Sequence, residues 1–151
     1  MKRRVFHKVR FLAIAAAVLT AAFLVACNNA PPKISIENAK VQLSPAIYGE
    51  AMVYMTIRND GGTDVLKDSS IDVPGATTMF HVMEGRRMAR VDSVEVPGGK
   101  SVVFKMGSSH VMIEDMPRTM VAGSPITLTL VFEKSGTKKL QLKLEKAPEM
   151  K

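Results

Sequence analysis

The sequence predicts an all-β domain, an antiparallel sandwich or barrel, and three observations carry that expectation. Between residues 33 and 144 the apolar residues fall in short runs rich in Val, Ile, Thr, Tyr and Phe, the residue types that suit a pleated, half-buried strand. Turn signals separate the runs: Asn59-Asp60-Gly61-Gly62, Val73-Pro74-Gly75, Glu84-Gly85, Pro97-Gly98-Gly99 and Ser135-Gly136. No stretch of this segment carries a convincing helical periodicity. Eight to ten short strands at such spacing suit a sandwich or barrel.

In order along the chain, "KISIENAKVQL" opens the domain and "AMVYMTIRN" is its clearest early strand. "TDVLKDSSI" follows, and then "TTMFHVM" and "RRMARV" flank Glu84-Gly85 as a hairpin. "SVEV", "SVVFKM" and "HVMIEDM" come next, and "ITLTLVFEKSG" with "TKKLQLKL" close the domain. Residues 145–151 form a polar tail, the kind of terminus that frays.

The first 26 residues are expected to be a removed signal peptide. Met1-Lys2-Arg3-Arg4, with Lys8 and Arg10, precedes a 16-residue apolar run that ends Leu24-Val25-Ala26-Cys27. That run is short for a membrane span. Small residues before the cysteine fit a lipoprotein processing site, so Cys27 is the expected lipidation site and residues 27–32 the expected tether. The alternative, an uncleaved apolar anchor, also tethers the chain outside the cytoplasm. Asn28 is not the Asp that retains many lipoproteins at the inner membrane, so the outer membrane is the expected location where the host has one.

Removal of this segment changes the charge argument. Residues 1–26 hold five of the 21 Lys and Arg and none of the 14 acids, so the processed chain carries only +2. No basic patch remains for nucleic acid. Cys27 is also the only cysteine. Once it is acylated, disulfides, thiolate metal clusters, cysteine catalysis and copper sites with a Cys ligand are excluded. "GGKS" at 98–101 lacks the earlier glycine of a phosphate loop, Val94 standing in its place, and lies between two strands. Ser108 and His110 have no oxyanion donors or third partner to make them catalytic. No enzyme is expected.

The tripeptide His-Val-Met occurs at 81–83 and 110–112, and the only other histidine is His7. Ten of the 11 methionines lie beyond residue 26. Met52, Met55, Met106 and Met120 read as gap-fillers of the core. Met79, Met83, Met88, Met112 and Met116 cluster around the histidines instead. On a strand, 79, 81 and 83 share one face, as do His110 and Met112. A hairpin centred on Glu84-Gly85 sets Met83 opposite Arg86 and His81 opposite Met88, with Cβ atoms ~4.5–5.5 Å apart. Two neutral imidazoles and two thioethers form a soft, uncharged ligand set that favours Cu(I) over zinc or hard cations.

At these residues the sequence resembles the periplasmic copper A chaperone family (PCuAC), a cupredoxin-like Greek-key β-sandwich with the motif His-x10-Met-x21-His-x-Met. Met88 and His110 enclose 21 residues, and His110-Val111-Met112 supplies the His-x-Met. The resemblance implies copper ligands His81, Met88, His110 and Met112. It covers about Lys33 to Leu144, including "VYMTIRNDG", "VEVPGGKSVVFK" and "PITLTLVFEKSG". His81 and Met88 enclose six residues where the family has ten, which shortens the hairpin. Glu114 stands where relatives often carry a further Met. Met83, Met79, Met116 and Glu114 are auxiliary candidates. The resemblance further implies a monomeric carrier of Cu(I), or of Cu(II), that hands copper to the copper-A subunit of cytochrome oxidase or to a Sco-type protein. A copper-storage or resistance lipoprotein, and a metal-free scaffold or adhesion lipoprotein, stay open as alternatives.

Replacement of the cysteine separates anchor from site. Cys27→Ala is expected to abolish incorporation of labelled lipid and to leave metal binding unchanged. Loss of metal binding in that variant would mean that the cysteine is a ligand.

Overall fold

The computed structural model describes residues 30–146; the expected signal peptide, Cys27, the first residues of the tether and all of the tail beyond Lys146 lie outside it. Ten strands follow one another: β1 Ile34–Leu43, β2 Ala51–Asn59, β3 Asp64–Ile71, β4 Thr77–Glu84, β5 Arg87–Val91, β6 Val94–Val96, β7 Lys100–Phe104, β8 His110–Glu114, β9 Pro125–Phe132 and β10 Gly136–Glu145. There is no helix among the described residues.

The strands form two layers of a cupredoxin-like sandwich. One layer has the order β5-β4-β8-β2-β1, with β7 also paired to β2, and the other has β10-β9-β3-β6. Every pair is antiparallel except one. β1 and β10 run parallel over Val41↔Leu144 and Gln42↔Glu145, where the two layers join. The sequence expectation of a purely antiparallel sandwich misses this pair, because the first and last strands run the same way and meet only through the tertiary fold.

Alternation builds the core. β9 reads exposed-buried from Pro125 to Phe132, so Ile126, Leu128, Leu130 and Phe132 point inward. Val53, Met55 and Ile57 of β2 and Val111 and Ile113 of β8 meet them from the other layer. Burial of such side chains is worth about 1.5–3 kcal/mol each. Met55 fills the core as expected, Met120 packs partly buried against it, and Met106 lies exposed.

One end of the sandwich is knotted by a buried amide. Asn59, fully buried, donates through Nδ2 to the carbonyls of Gly62 and Val96, and its Oδ1 accepts from the N–H groups of Lys33 and Gly61. The chain before β1 is part of this knot, since the Pro31 carbonyl accepts from the Gly62 N–H. A Cβ on Gly61 would collide with that carbonyl. The end of the expected tether is therefore docked on the domain, which leaves residues 28–30 as the span to Cys27. Close by, the fully buried Asp64 accepts from the N–H groups of Val65, Lys134 and Ser135. Burial pushes its carboxyl up, but these hydrogen bonds outweigh burial and hold it below the ordinary carboxylate range.

Truncation of the amide should loosen this end. Asn59→Ala leaves four backbone groups without their partner, two of them in buried hydrogen bonds, and is expected to cost about 3 kcal/mol, read as a lower midpoint in urea denaturation. An unchanged midpoint would show that the knot contributes nothing.

Candidate metal centre

The face opposite the core on β4, β8 and β2 carries the histidines. β4 and β8 pair as Met79↔Met112, Phe80↔Val111 and His81↔His110. β8 and β2 pair as Val53↔Val111, Met52↔Met112 and Ala51↔Ile113. Val53, Phe80, Val111 and Ile113 are core residues. Their neighbours in sequence must point outward, which stacks the face in rungs. Tyr54, His110 and His81 form one rung, and Met52, Met112 and Met79 the next.

His81 and His110 meet directly. Nδ1 of His81 lies 3.4 Å from Nε2 of His110, with the rings nearly perpendicular at 83°. Nδ1 of His110 lies 2.9 Å from the carbonyl oxygen of Ser108. A carbonyl only accepts, so Nδ1 carries the proton and Nε2 presents its lone pair to His81. A backbone hydrogen bond of this kind fixes the tautomer of a metal-binding imidazole. A four-coordinate ion with bonds of about 2.0–2.1 Å holds two nitrogens about 3.3–3.4 Å apart, so the observed gap matches the bite of such an ion. Among the described residues no three His, Cys, Asp or Glu side chains converge on a site. The adjacent rung of this face, Met52, Met112 and Met79, offers sulfur as the further ligand type.

The hairpin differs from the expectation. Its two-residue loop is Gly85-Arg86, with Glu84↔Arg87, Met83↔Met88 and His81↔Arg90 paired. Gly85 takes a positive φ of 63° at the first loop position, where a type II′ turn needs glycine. His81 thus faces Arg90 and not Met88, and Met88 faces Met83. A one-residue shift of the loop changes partners by two, so the face is preserved. Met88 is the diagonal neighbour of His81, ~7–8 Å away between strands and within reach of a long side chain. Met83 and Met88 are 40% and 42% exposed, while Met112 is only 9% exposed.

Of the auxiliary candidates, Met79 and Met83 flank His81 on the face. Glu114 follows the methionine rung, opposite Thr77. Met116 is removed from the set. Strict alternation would keep it beside His110 and Met112, but Asp115 adopts a positive φ of 59° that ends the strand and turns Met116 into the core. Two residues of the face were not singled out from sequence. Met52 reads as core because the first half of β2, residues 51–55, is apolar on both faces, and Tyr54 gives no sign of a role. The structure shows Tyr54 O–H donating to Met52 Sδ at 3.4 Å and its ring edge-on to His110. The available signal was that Met52 and Tyr54 alternate with the core residues Val53 and Met55.

The fold is that of a PCuAC-type domain. The chain superposes on the copper-bound PCuAC domain from PmoF2 with a TM-score of 0.64 and 28% identity, covering 78% of this chain and 96% of that domain. The apo PCuAC domain from PmoF1 gives a TM-score of 0.64 at 21% identity over 78% of this chain and 97% of that one. Apo-DR1885 from Deinococcus radiodurans gives 0.54 at 19% over 78% and 82%. The last two likenesses concern the fold alone. No curated protein matches the chain in sequence. By its match over residues 34–144, the chain belongs to the LpqE-like lipoprotein family.

The metal-free pair has a pH signature. Burial first, and then the neighbouring His110, hold the His81 imidazole below its ordinary value of 6.5; Arg90 adds to this and Glu114 opposes it. The folded state therefore binds this proton less readily than the unfolded state. Well above the unfolded value neither state is protonated and nothing is lost. Stability falls as pH drops through that value toward the folded one. His81→Gln is expected to flatten the fall in urea midpoint of the metal-free protein between about pH 7.5 and about pH 5.5. An equally steep fall in the variant would assign it to other groups.

Proposed function

We propose that the protein is an extracytoplasmic, membrane-anchored copper carrier that binds Cu(I) through His81, His110, Met112 and Met88 and passes it on by ligand exchange. The observation that carries this is the pair of facing imidazole nitrogens at 3.4 Å, set in a field of thioethers, with no third His, Cys, Asp or Glu side chain joining them in a cluster among the described residues. Neutral imidazole and thioether ligands add no negative charge, which favours a soft monovalent ion over a divalent one. The copper-bound state of the similar PmoF2 domain supports the choice of metal.

The placement of the sulfurs supports delivery over storage. Met88 lies on the edge strand β5 and is exposed, as is Met83 opposite it. An acceptor ligand can approach from that side and form its bond to copper before Met88 releases, so the ion never passes free through water. The imidazoles, held by neighbouring strands, stay in place until last. The acceptor on this reading is the copper-A subunit of cytochrome oxidase or a Sco-type protein. Asn28 after Cys27 favours the outer membrane where the host has one.

X-ray absorption of the Cu(I)-loaded protein should show both nitrogen and sulfur scatterers. Met112→Leu, which keeps the volume, is expected to weaken Cu(I) binding by roughly tenfold or more, about 1.4 kcal/mol. Met88→Leu should weaken it less and slow transfer to an acceptor. A first shell without sulfur, or unaltered binding in both variants, would exclude the site.

A further inference from the structure

The methionine rung next to the histidines is more than the one ligand that the copper site takes from it. Met112 sits at the centre of β8 with Met52 directly opposite on β2 and Met79 directly opposite on β4. Paired residues point to the same side of a sheet, with Cβ atoms ~4.5–5.5 Å apart. Three thioether side chains, each on a flexible arm, therefore stand side by side on three adjacent strands of the outward face. The outer face of an antiparallel sheet ordinarily alternates to polar residues, and nothing else in the fold packs these three into the core cluster. Tyr54 O–H binds Met52 Sδ through one lone pair and leaves the other.

The rung beyond them completes the environment. Glu114 follows Ile113 on β8, and Glu50 precedes Ala51, the residue paired with Ile113. Two carboxylates thus lie one rung from the sulfurs, on the side away from the histidines. They supply negative potential to a cation without being able to replace the soft ligands it prefers.

We propose that Met52, Met79 and Met112 form a second site for a soft monovalent cation, Cu(I) or Ag(I), separate from the histidine pair. This rests on the soft-metal reading of that pair. With one ion bound, Met112 serves the histidines; when a second ion enters the triad, Met112 turns to it, and Met83, paired with Met88 on the far side of His81, takes the vacated place. The face then holds two ions, one on His81, His110, Met83 and Met88 and one on three thioethers.

Silver(I) is the probe, because it is soft, monovalent and inert to redox. Native mass spectrometry of the intact protein should count two silver ions in the wild type and one in Met52→Leu/Met79→Leu. It should also count one in His81→Ala/His110→Ala and none when the four changes are combined. In the histidine variant, 13C-methyl signals of Met52, Met79 and Met112 should shift together at one equivalent, while Met106 stays fixed. Leucine conserves the volume of methionine, and dispersed methyl signals confirm that each variant is folded. Two ions retained in Met52→Leu/Met79→Leu would overturn the second site. One ion in the wild type and none in the histidine variant would also overturn it, leaving the histidine site standing. One ion in the wild type that survives loss of the histidines but not of Met52 and Met79 would instead establish the triad and remove the histidine site. No ion in the wild type would remove both.

Discussion

The face depends on a change of phase in one strand. β7 and β8 both pair with β2, on successive stretches: Met55↔Phe104 belongs to the first and Val53↔Val111 to the second. Phe104 points into the core, and simple alternation from it would send residue 110 inward as well. Residues 105–109 leave the ladder between the two stretches and return. That turn is closed by the Ser108 N–H on the Lys105 carbonyl and by the Lys105 N–H on the Ser109 carbonyl. The odd number of inserted residues swaps the faces. Val111 and Ile113 then fill the core, and His110, Met112 and Glu114 face out. The same turn presents the Ser108 carbonyl to His110 Nδ1, so one local irregularity both places the imidazole and sets its tautomer.

The two ends of β2 do different work. Asn59 ties the last residue of the strand to Pro31–Lys33, Gly61–Gly62 and Val96, in a region with no freedom for an added side chain at Gly61. Met52, at the other end, lies seven residues away, about 23 Å at the rise of a strand. The chain that leads back to Cys27 leaves from the knotted end. If Cys27 carries lipid, the few residues before Pro31 hold that end near the bilayer, and the histidine face sits toward the far end of the same strand, open to a partner in the aqueous space.

Much of this was legible from sequence, and the failures have physical causes. The strands around Met52–Asn59 and Ile126–Phe132 follow from β-branched runs bounded by turn residues. The shared face of His81, Met79 and Met83, and of His110 and Met112, follows from the period of two. Contact between His81 and His110 did not follow, because β4 and β8 are brought together by the fold, not by a hairpin. The hairpin register was missed by one residue, since Glu84-Gly85 and Gly85-Arg86 are both plausible two-residue loops and only the need for positive φ at the first position selects the second. Met116 escaped because an aspartate in the left-handed region breaks alternation without a glycine to announce it. Met52 escaped because the first half of β2 is apolar on both faces, although Thr56 and Arg58 further along share its face and mark it as outward.

The arrangement divides rigidity unequally among the ligands, and that division has consequences for exchange. His81 and His110 lie on paired strands, and without metal their nitrogens are already within 3.4 Å, Nδ1–H of His81 directed at the lone pair of His110. In the proposed site a metal ion would take the place of that proton once the His81 proton has moved to Nε2, with little movement of the backbone, so the ordering cost that usually opposes binding is small for these two ligands. Methionine side chains have three rotatable bonds and soft, adaptable sulfurs. Those beside the hairpin turn, Met83 and Met88, are the most exposed of the set and give up most freedom on binding. In the proposed carrier the nitrogens therefore set where the ion sits, and the sulfurs set how readily it leaves. A site with four rigid ligands would retain copper against an acceptor. One with four mobile ligands would lose it to solvent. A fixed pair of imidazoles with the buried Met112 and the exposed Met88 lies between these limits, as the proposed transfer by ligand exchange requires.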